Sequence, residues 1–297
     1  MRTSYLYHLI AILTIIVWGT TFVSTKVLIQ HGLSPMEILI YRFLLAYICI
    51  WFICPKTLFA KNLKDELLCV AIGITGGSFY FLFENTALEI TLASNVSLII
   101  CTSPIFTAFL VRFFYKKERI KPHLIAGSVI ALIGVAFVVF NGRFILQINP
   151  LGDFLTILAA LFWAIYGIIL MELNKRYPIL FITRKVFIYG IITILPFTVF
   201  PSGVFNVHLL VNPVVMGNIV FLGIVASCIC YVTWNNAVKQ LGVVQTANYI
   251  YFIPLVTLLT SAIVIDEKIT VIALIGSVFI LFGVYIAEKG LRIRIKL

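Results

Sequence analysis

The chain is 297 residues long, 62% hydrophobic and only 11% charged, with a net charge of +11. Soluble domains average about 25% charged residues, so this composition excludes a soluble enzyme or binding module. A mean hydropathy of +1.12 instead fits repeated spans of about 20 apolar residues that cross a bilayer.

Apolar runs punctuated by turns, prolines and charges predict ten spans: 8–29, 35–53, 67–84, 92–113, 122–140, 151–172, 178–200, 214–237, 243–265 and 269–288. The runs lack the alternation of barrel strands and are too long for them, so each must satisfy its backbone internally as a helix. The first run is longer than a signal-peptide core and no clean cleavage site follows it, so it reads as helix one of the mature protein. Ten crossings put both termini on one side. With that side cytoplasmic, eighteen Lys and Arg residues fall inside, against Arg143 and Lys268 outside, which is the asymmetry the positive-inside rule describes. Topology and anionic lipid therefore account for the basic balance, and no nucleic-acid partner is expected.

All six cysteines, Cys49, Cys54, Cys69, Cys101, Cys228 and Cys230, lie in or at the ends of apolar runs and read as small core residues. Connections are too short for a soluble catalytic or nucleotide-binding domain. There is no P-loop pattern, no HExxH, no GxSxG and no pair of embedded aspartates, so neither a cofactor nor enzymatic chemistry is expected.

The stretch "NTALEITLASNVSLIICTSP", starting at Asn85, is echoed 150 residues later by "NNAVKQLGVVQTANYIYFIP", starting at Asn235. "GSVIALIGV" from Gly127 matches "GSVFILFGV" from Gly276, and "ILTIIVWG" from Ile12 is similar to "ILAALFWA" from Ile157, which aligns Trp18 with Trp163. These echoes predict two tandem repeats of five helices, 1–145 and 146–297. Because five is odd, the copies must enter the membrane from opposite sides. The fold class is an all-α membrane protein of ten helices in two inverted repeats, an arrangement that places a substrate site near the midplane between the halves.

In this context the chain resembles the drug/metabolite transporter superfamily, specifically its ten-helix EamA-type members. The resemblance covers essentially the whole chain. It is carried by "WGTTFVSTK" from Trp18, "YRFLLAY" from Tyr41, the Asn85 stretch, "KKERI" followed by "AGSVIALIGV", and the second copy ending "DEKITVIALIGSVFILFGVYI". It implies a secondary transporter, often an exporter of amino acids or other small metabolites, with a central cavity built by both repeats. It does not imply one substrate.

Candidate functional residues follow from helix position. Pro104 and Pro254 each remove a backbone donor near mid-span, so helices four and nine are expected to bend there, for function or for packing alone. Trp18, Tyr80, Trp163, Tyr166, Tyr231 and Tyr251 lie away from the interfacial belts. With Asn95, Thr102, Gln245 and Asn248 as polar groups, they would line a cavity for a small amphipathic solute; core packing is the competing account. Arg42 lies well inside helix two, where an ionisable group faces protein or a wet cavity. Two roles stand open: a counter-charge for an anionic substrate group, with Arg184 as inverted counterpart, or a structural pair with Glu84 or Glu37. Lys26 is expected to snorkel to the outer interface. No carboxylate is expected at mid-membrane; Glu84, closing helix three, is the coupling candidate.

Glycines at Gly73, Gly77, Gly127, Gly134, Gly276 and Gly283 predict close helix contacts, within the chain or in a homodimer. The expected partners are a small-molecule substrate and membrane lipid. The expected function is export or exchange of an amino acid or similar solute across the inner membrane, with a lipid or lipid-linked sugar flippase of the same fold as the alternative.

Overall fold

A computed structural model describes residues 2–55, 58–91, 93–115, 122–140, 149–198, 207–264 and 270–289. The expected repeat boundary at 145/146 lies outside them. So do Lys56, Lys116, Lys117, Arg119, Lys121, Arg143, Lys268, Arg292, Arg294 and Lys296, ten of the cations used to assign topology.

Among the described residues there are helices and no strands. Ten helical spans follow in order: α1 (Arg2–Gln30), α2 (Pro35–Ile53), α3 (Leu63–Ile90), α4 in halves Ala93–Ile100 and Ser103–Phe114, and α5 (Pro122–Phe140). The second copy has α6 (Pro150–Leu173), α7 (Ile179–Thr198), α8 (Pro213–Leu241), α9 in pieces Val243–Ala247, Asn248–Phe252 and Ile253–Val264, and α10 (Val271–Lys289). Eight spans are long and apolar enough to cross a membrane, with two shorter apolar helices in α5 and α10. The chain is a multi-pass membrane protein.

Starts are fixed by side-chain caps followed by proline. Ser34 and Glu37 form a reciprocal capping box before Pro35, Asn149 accepts from the Gly152 N–H at 3.1 Å, and Asn212 accepts from the Val214 N–H at 2.9 Å. Each cap satisfies an orphan donor of the first turn, and the proline sits where no donor is needed.

The two copies exchange helices. α1 packs on α8 and the last piece of α9, and α6 packs correspondingly on α3 and the second half of α4. α2 lies against α8 and α7, α7 lies against α3, and α5 pairs with α10 at the margin. The expected glycine contacts are all made within the chain. Gly73 and Gly77 of α3 abut Tyr189 and Gly190 of α7, while Gly127 and Gly134 of α5 meet Gly283 and Gly276 of α10. Of the two arrangements expected for these glycines, within the chain or between two copies, the structure shows the first.

Three expectations need correction. The third helix does not end at Glu84 but runs on to Ile90, because the "NTALEI" turn is helix-forming and its end is capped from outside. The Leu88 carbonyl accepts from Lys26 Nζ at 2.7 Å and the Ile90 carbonyl from Asn149 Nδ2 at 2.9 Å. Lys26 therefore caps a neighbouring helix rather than snorkelling to the interface, and Glu84 lies about 9 Å inside the end of α3, by the rise per residue. Arg184 is no cavity counterpart of Arg42: it donates to the Cys54 carbonyl at the end of α2 and lies over Trp51 and Phe181.

Candidate functional site

Both α3 and α8 widen into a π-helical stretch, at Ile74–Ser78 and Phe221–Ile229. At the 150-residue offset of the echo, these stretches coincide. Such widenings free carbonyls and recur at functional sites. Here an aromatic from the opposite copy takes one carbonyl in each: Tyr231 donates to the Gly76 carbonyl at 2.5 Å, and Trp18 Nε1 to the Ala226 carbonyl at 2.9 Å. Gly76 and Ala226 are equivalent positions. The large rings are therefore held by hydrogen bonds as well as by packing, and both line the space between the copies.

That space is a narrow cavity of about 30 Å³, lined by Trp18, Thr21, Phe22, Arg42, Tyr80, Phe81, Glu84, Ile100, Ser103, Trp163, Tyr231, Ile250 and Ile253. Much of its wall is two-fold. Trp18 faces Trp163 edge-on at 5.3 Å between ring centroids. Phe81 corresponds to Tyr231, Ile100 to Ile250 and Ser103 to Ile253 at the same offset of 150. Trp234 lies behind, 5.0 Å from Trp18.

The breaks in α4 and α9 put two of these pairs in place. Pro104 and Pro254 are each the second residue of the piece that follows a break. The carbonyl of Ile250, which Pro254 cannot bond, is taken by the Ile253 N–H and by Cys101 Sγ of the other copy at 3.7 Å. It is thus satisfied by protein and not left free for the cavity.

Arg42 is 2% exposed. Its Nε donates to Ser227 Oγ at 3.0 Å, and its guanidinium carbon lies 4.2 Å from the centre of the Phe81 ring. The ion pairs among the described residues lie elsewhere, joining Lys175 and Arg176 to Glu172, Arg176 to Asp65, and Lys185 to Glu66. Arg42 therefore makes no ion-pair contact with Glu84 or Glu37, although it is near enough to Glu84 for the two charges to act on each other. Glu37 instead holds the cap of α2. Glu84 is 7% exposed, and its Oε1 accepts from Tyr80 O–H at 2.9 Å. The cavity thus carries a guanidinium and a carboxylate that do not neutralise each other by contact. Ser103 is fully buried in the same wall, and its hydroxyl has no partner.

The charges break the two-fold pattern. Glu84 corresponds to Trp234 and Tyr80 to Cys230 at the offset of 150. Aligning Pro35 with Pro178 gives an offset of 143, which puts Lys185 opposite Arg42, yet Lys185 donates to Glu66 and lies over the Tyr189 ring, outside the cavity lining. One copy alone supplies the charged half of the site.

The remaining candidates are distributed differently. Tyr166 is fully buried one layer out and donates to Asn235 Oδ1 at 2.6 Å. Thr102 donates to the Ile99 carbonyl at 2.7 Å within the break of α4. Gln245 is half-buried in the first piece of α9, and Asn248 is buried in the next, with its Nδ2 unpartnered. Tyr251 packs with Cys101, Val135 and Ile280 against α5 and α10, in the 3-10 stretch Asn248–Phe252, where residues three apart eclipse and Asn248 shares its face. The side chain of Asn95 lies outside the described set. Residue-by-residue reading missed Phe81, Ile100, Ser103, Ile250 and Ser227, though the offset of 150, applied to Tyr231, points straight to Phe81.

Comparison with known proteins agrees with this architecture. The chain matches the EamA-like transporter family over residues 6–140 and 150–288, one match per repeat. It is 28% identical to an "Uncharacterized transporter" of Archaeoglobus fulgidus, over 94% of this chain and 96% of that one. It is 27% identical to the "Probable amino-acid metabolite efflux pump" of Escherichia coli, over 96% and 95%. It is also 25% identical to the "Probable terminal-alkyne amino-acid exporter" of Streptantibioticus cattleyicolor, over 94% and 92%. A solved crystal structure superposes with a TM-score of 0.74 over 98% of both chains at 19% identity, a likeness of fold.

Proposed function

We propose that this chain, which belongs to the EamA-like transporter family, exports a small amphipathic metabolite, an amino acid or a close relative, across the cytoplasmic membrane with both termini inside. Transport proceeds by alternating access: the two copies take turns exposing the cavity, as their inverted relation allows. Arg42 receives an anionic group such as a carboxylate, the rings of Trp18, Trp163 and Tyr231 hold the apolar part, and Ser103 offers a hydrogen bond.

The observation that carries this reading is the guanidinium of Arg42. It is buried in the wall of an aromatic cavity and spends one hydrogen bond on Ser227 through Nε, leaving its forked N–H groups free for a carboxylate, for which their geometry is suited. The names of the E. coli and S. cattleyicolor relatives point to the same class of solute.

The test is efflux from proteoliposomes loaded with the twenty protein amino acids and read by mass spectrometry. Saturable release from the wild type, with a KM raised about tenfold to a hundredfold in Arg42→Ala, is expected from the loss of a charge-assisted bond of about 1.5–3 kcal/mol. Release of no amino acid, together with translocation of fluorescent lipid in the same vesicles, would replace this reading with that of a flippase.

A further inference from the structure

Glu84 has no counterpart in the second copy, where the equivalent position holds Trp234 and Tyr80 is matched by Cys230. Packing favours an apolar side chain at such a site, since an embedded carboxylate is costly and is kept where it faces a wet cavity or a pathway. Glu84 is moreover the cavity's sole carboxylate among the described lining residues. Its Oε1 is occupied by the Tyr80 hydroxyl, and its Oε2 has no hydrogen-bond partner among the described residues.

The charged and titratable groups around it are few. Tyr80 lies on its own helix, Arg42 on α2 and Tyr231 on α8, all lining the same cavity. From α1, Lys26 is engaged with the Leu88 carbonyl, one turn further along α3. From α6, Trp163 faces the cavity, while the charges of that helix, Asp153 and Glu172, lie near its two ends. The first half of α4 carries no charge. Arg42 is thus the one fixed charge in the cavity wall, and it has no ion-pair contact with Glu84.

Building on the exporter reading above, we infer that Glu84 is the coupling site: its carboxylate holds either a proton, on Oε2, or the ammonium group of the substrate, and never both. A zwitterion then spans the two charges, carboxylate on Arg42 and ammonium on Glu84. When the ammonium binds, the proton leaves Oε2 for the water on that side; when the solute departs, Glu84 takes a proton from the other side before the cavity returns. No bond other than O–H forms or breaks, and one proton enters for each solute that leaves. The loaded cavity has the charge of Arg42, Glu84⁻ and a net-neutral zwitterion, whereas the returning cavity has one positive charge more. Export is therefore driven by membrane potential as well as by the proton gradient.

The experiment uses full-length protein in proteoliposomes loaded with the amino-acid mixture, with and without an inward-directed gradient of about one pH unit. At one proton per solute, that gradient sustains about a tenfold solute ratio. The expected result is gradient-accelerated efflux in the wild type, a ratio of rates with and without gradient that falls to one in Glu84→Gln, and coupling retained in Glu84→Asp, which keeps a carboxylate. The pairing of charges predicts further that a mixture of the corresponding amino-acid amides still competes with the proton, whereas the desamino acids do not.

Saturable wild-type efflux that ignores the gradient, or a Glu84→Gln variant that still follows it, overturns the coupling role and leaves the exporter standing. Efflux of no amino acid sinks the exporter reading instead. In that case infrared titration decides Glu84 on its own: a carboxyl band present in the wild type and absent from Glu84→Gln keeps it as a protonation site, and its absence from both removes it.

Discussion

The junction of α5 and α10 gives a stability prediction whose size follows from geometry. A Cβ added to Gly134 would lie 2.6 Å from the Gly276 carbonyl and from the Ile280 nitrogen, and one added to Gly276 would lie 2.6 Å from the Gly134 carbonyl. Ordinary contact begins at 3.4 Å, so either alanine must push the two helices apart by about 0.8 Å, the difference of those distances. The obstacles are backbone atoms, which cannot swing aside as a side chain does. Overpacking of this kind costs about 1–3 kcal/mol, and each single variant should fall in the upper part of that range. Both added methyl groups occupy the same gap, however, so once the helices have parted for one, the other is accommodated at less cost, and Gly134→Ala with Gly276→Ala should destabilise by clearly less than the sum. The assay is thermal unfolding in detergent, followed by size-exclusion recovery, with Gly217→Ala as control because a Cβ there meets nothing within 4 Å. Because α5 and α10 stand at the margin, surviving protein should show wild-type efflux in proteoliposomes. Single variants as stable as the control, or strictly additive losses, would refute the interlocked geometry.

Other expectations concern the cavity. Trp18→Phe and Tyr231→Phe each strip the bond to a π-helical carbonyl, at Ala226 or Gly76, and should each lower stability by about 1–3 kcal/mol; unchanged unfolding curves would mean that the freed carbonyls find other partners. Ser227→Ala releases Arg42 Nε without touching the cavity rings, so KM should rise several-fold with little change in folding, and an unaltered KM would count against positioning by this bond. Ser103→Ala deletes a buried hydroxyl that has no partner, so stability should be neutral or improved while solute affinity falls; loss of stability at constant affinity would place its partner inside the protein. A double-mutant cycle on Glu66 and Lys185 should reveal coupling of about 1 kcal/mol or more, since the pair is largely withdrawn from water, and a coupling near zero would reduce it to a chance contact.

Much of this architecture is dictated by the sequence alone, because hydrocarbon imposes one demand on every span. Twenty apolar residues without water must bond their own backbone, so helix number, inverted duplication and the buried position of Arg42 could be read directly. The echo even carried the site, since Trp18 and Trp163, at an offset of 145, and Phe81 and Tyr231, at an offset of 150, are equivalents that all line the cavity. What sequence could not decide is where a helix stops when its end is capped from afar, and where a side chain points when its helix changes pitch. Glu84 moved from a helix end to a cavity wall because Lys26 and Asn149 extend α3 to Ile90. Tyr251, in the 3-10 stretch before Pro254, packs with Cys101, Val135 and Ile280 and does not line the cavity. Lys185 left its symmetric place because Glu66, on another helix, was close enough to bind it. Each of these outcomes depends on a partner distant in the chain, and only the packed structure brings those partners together.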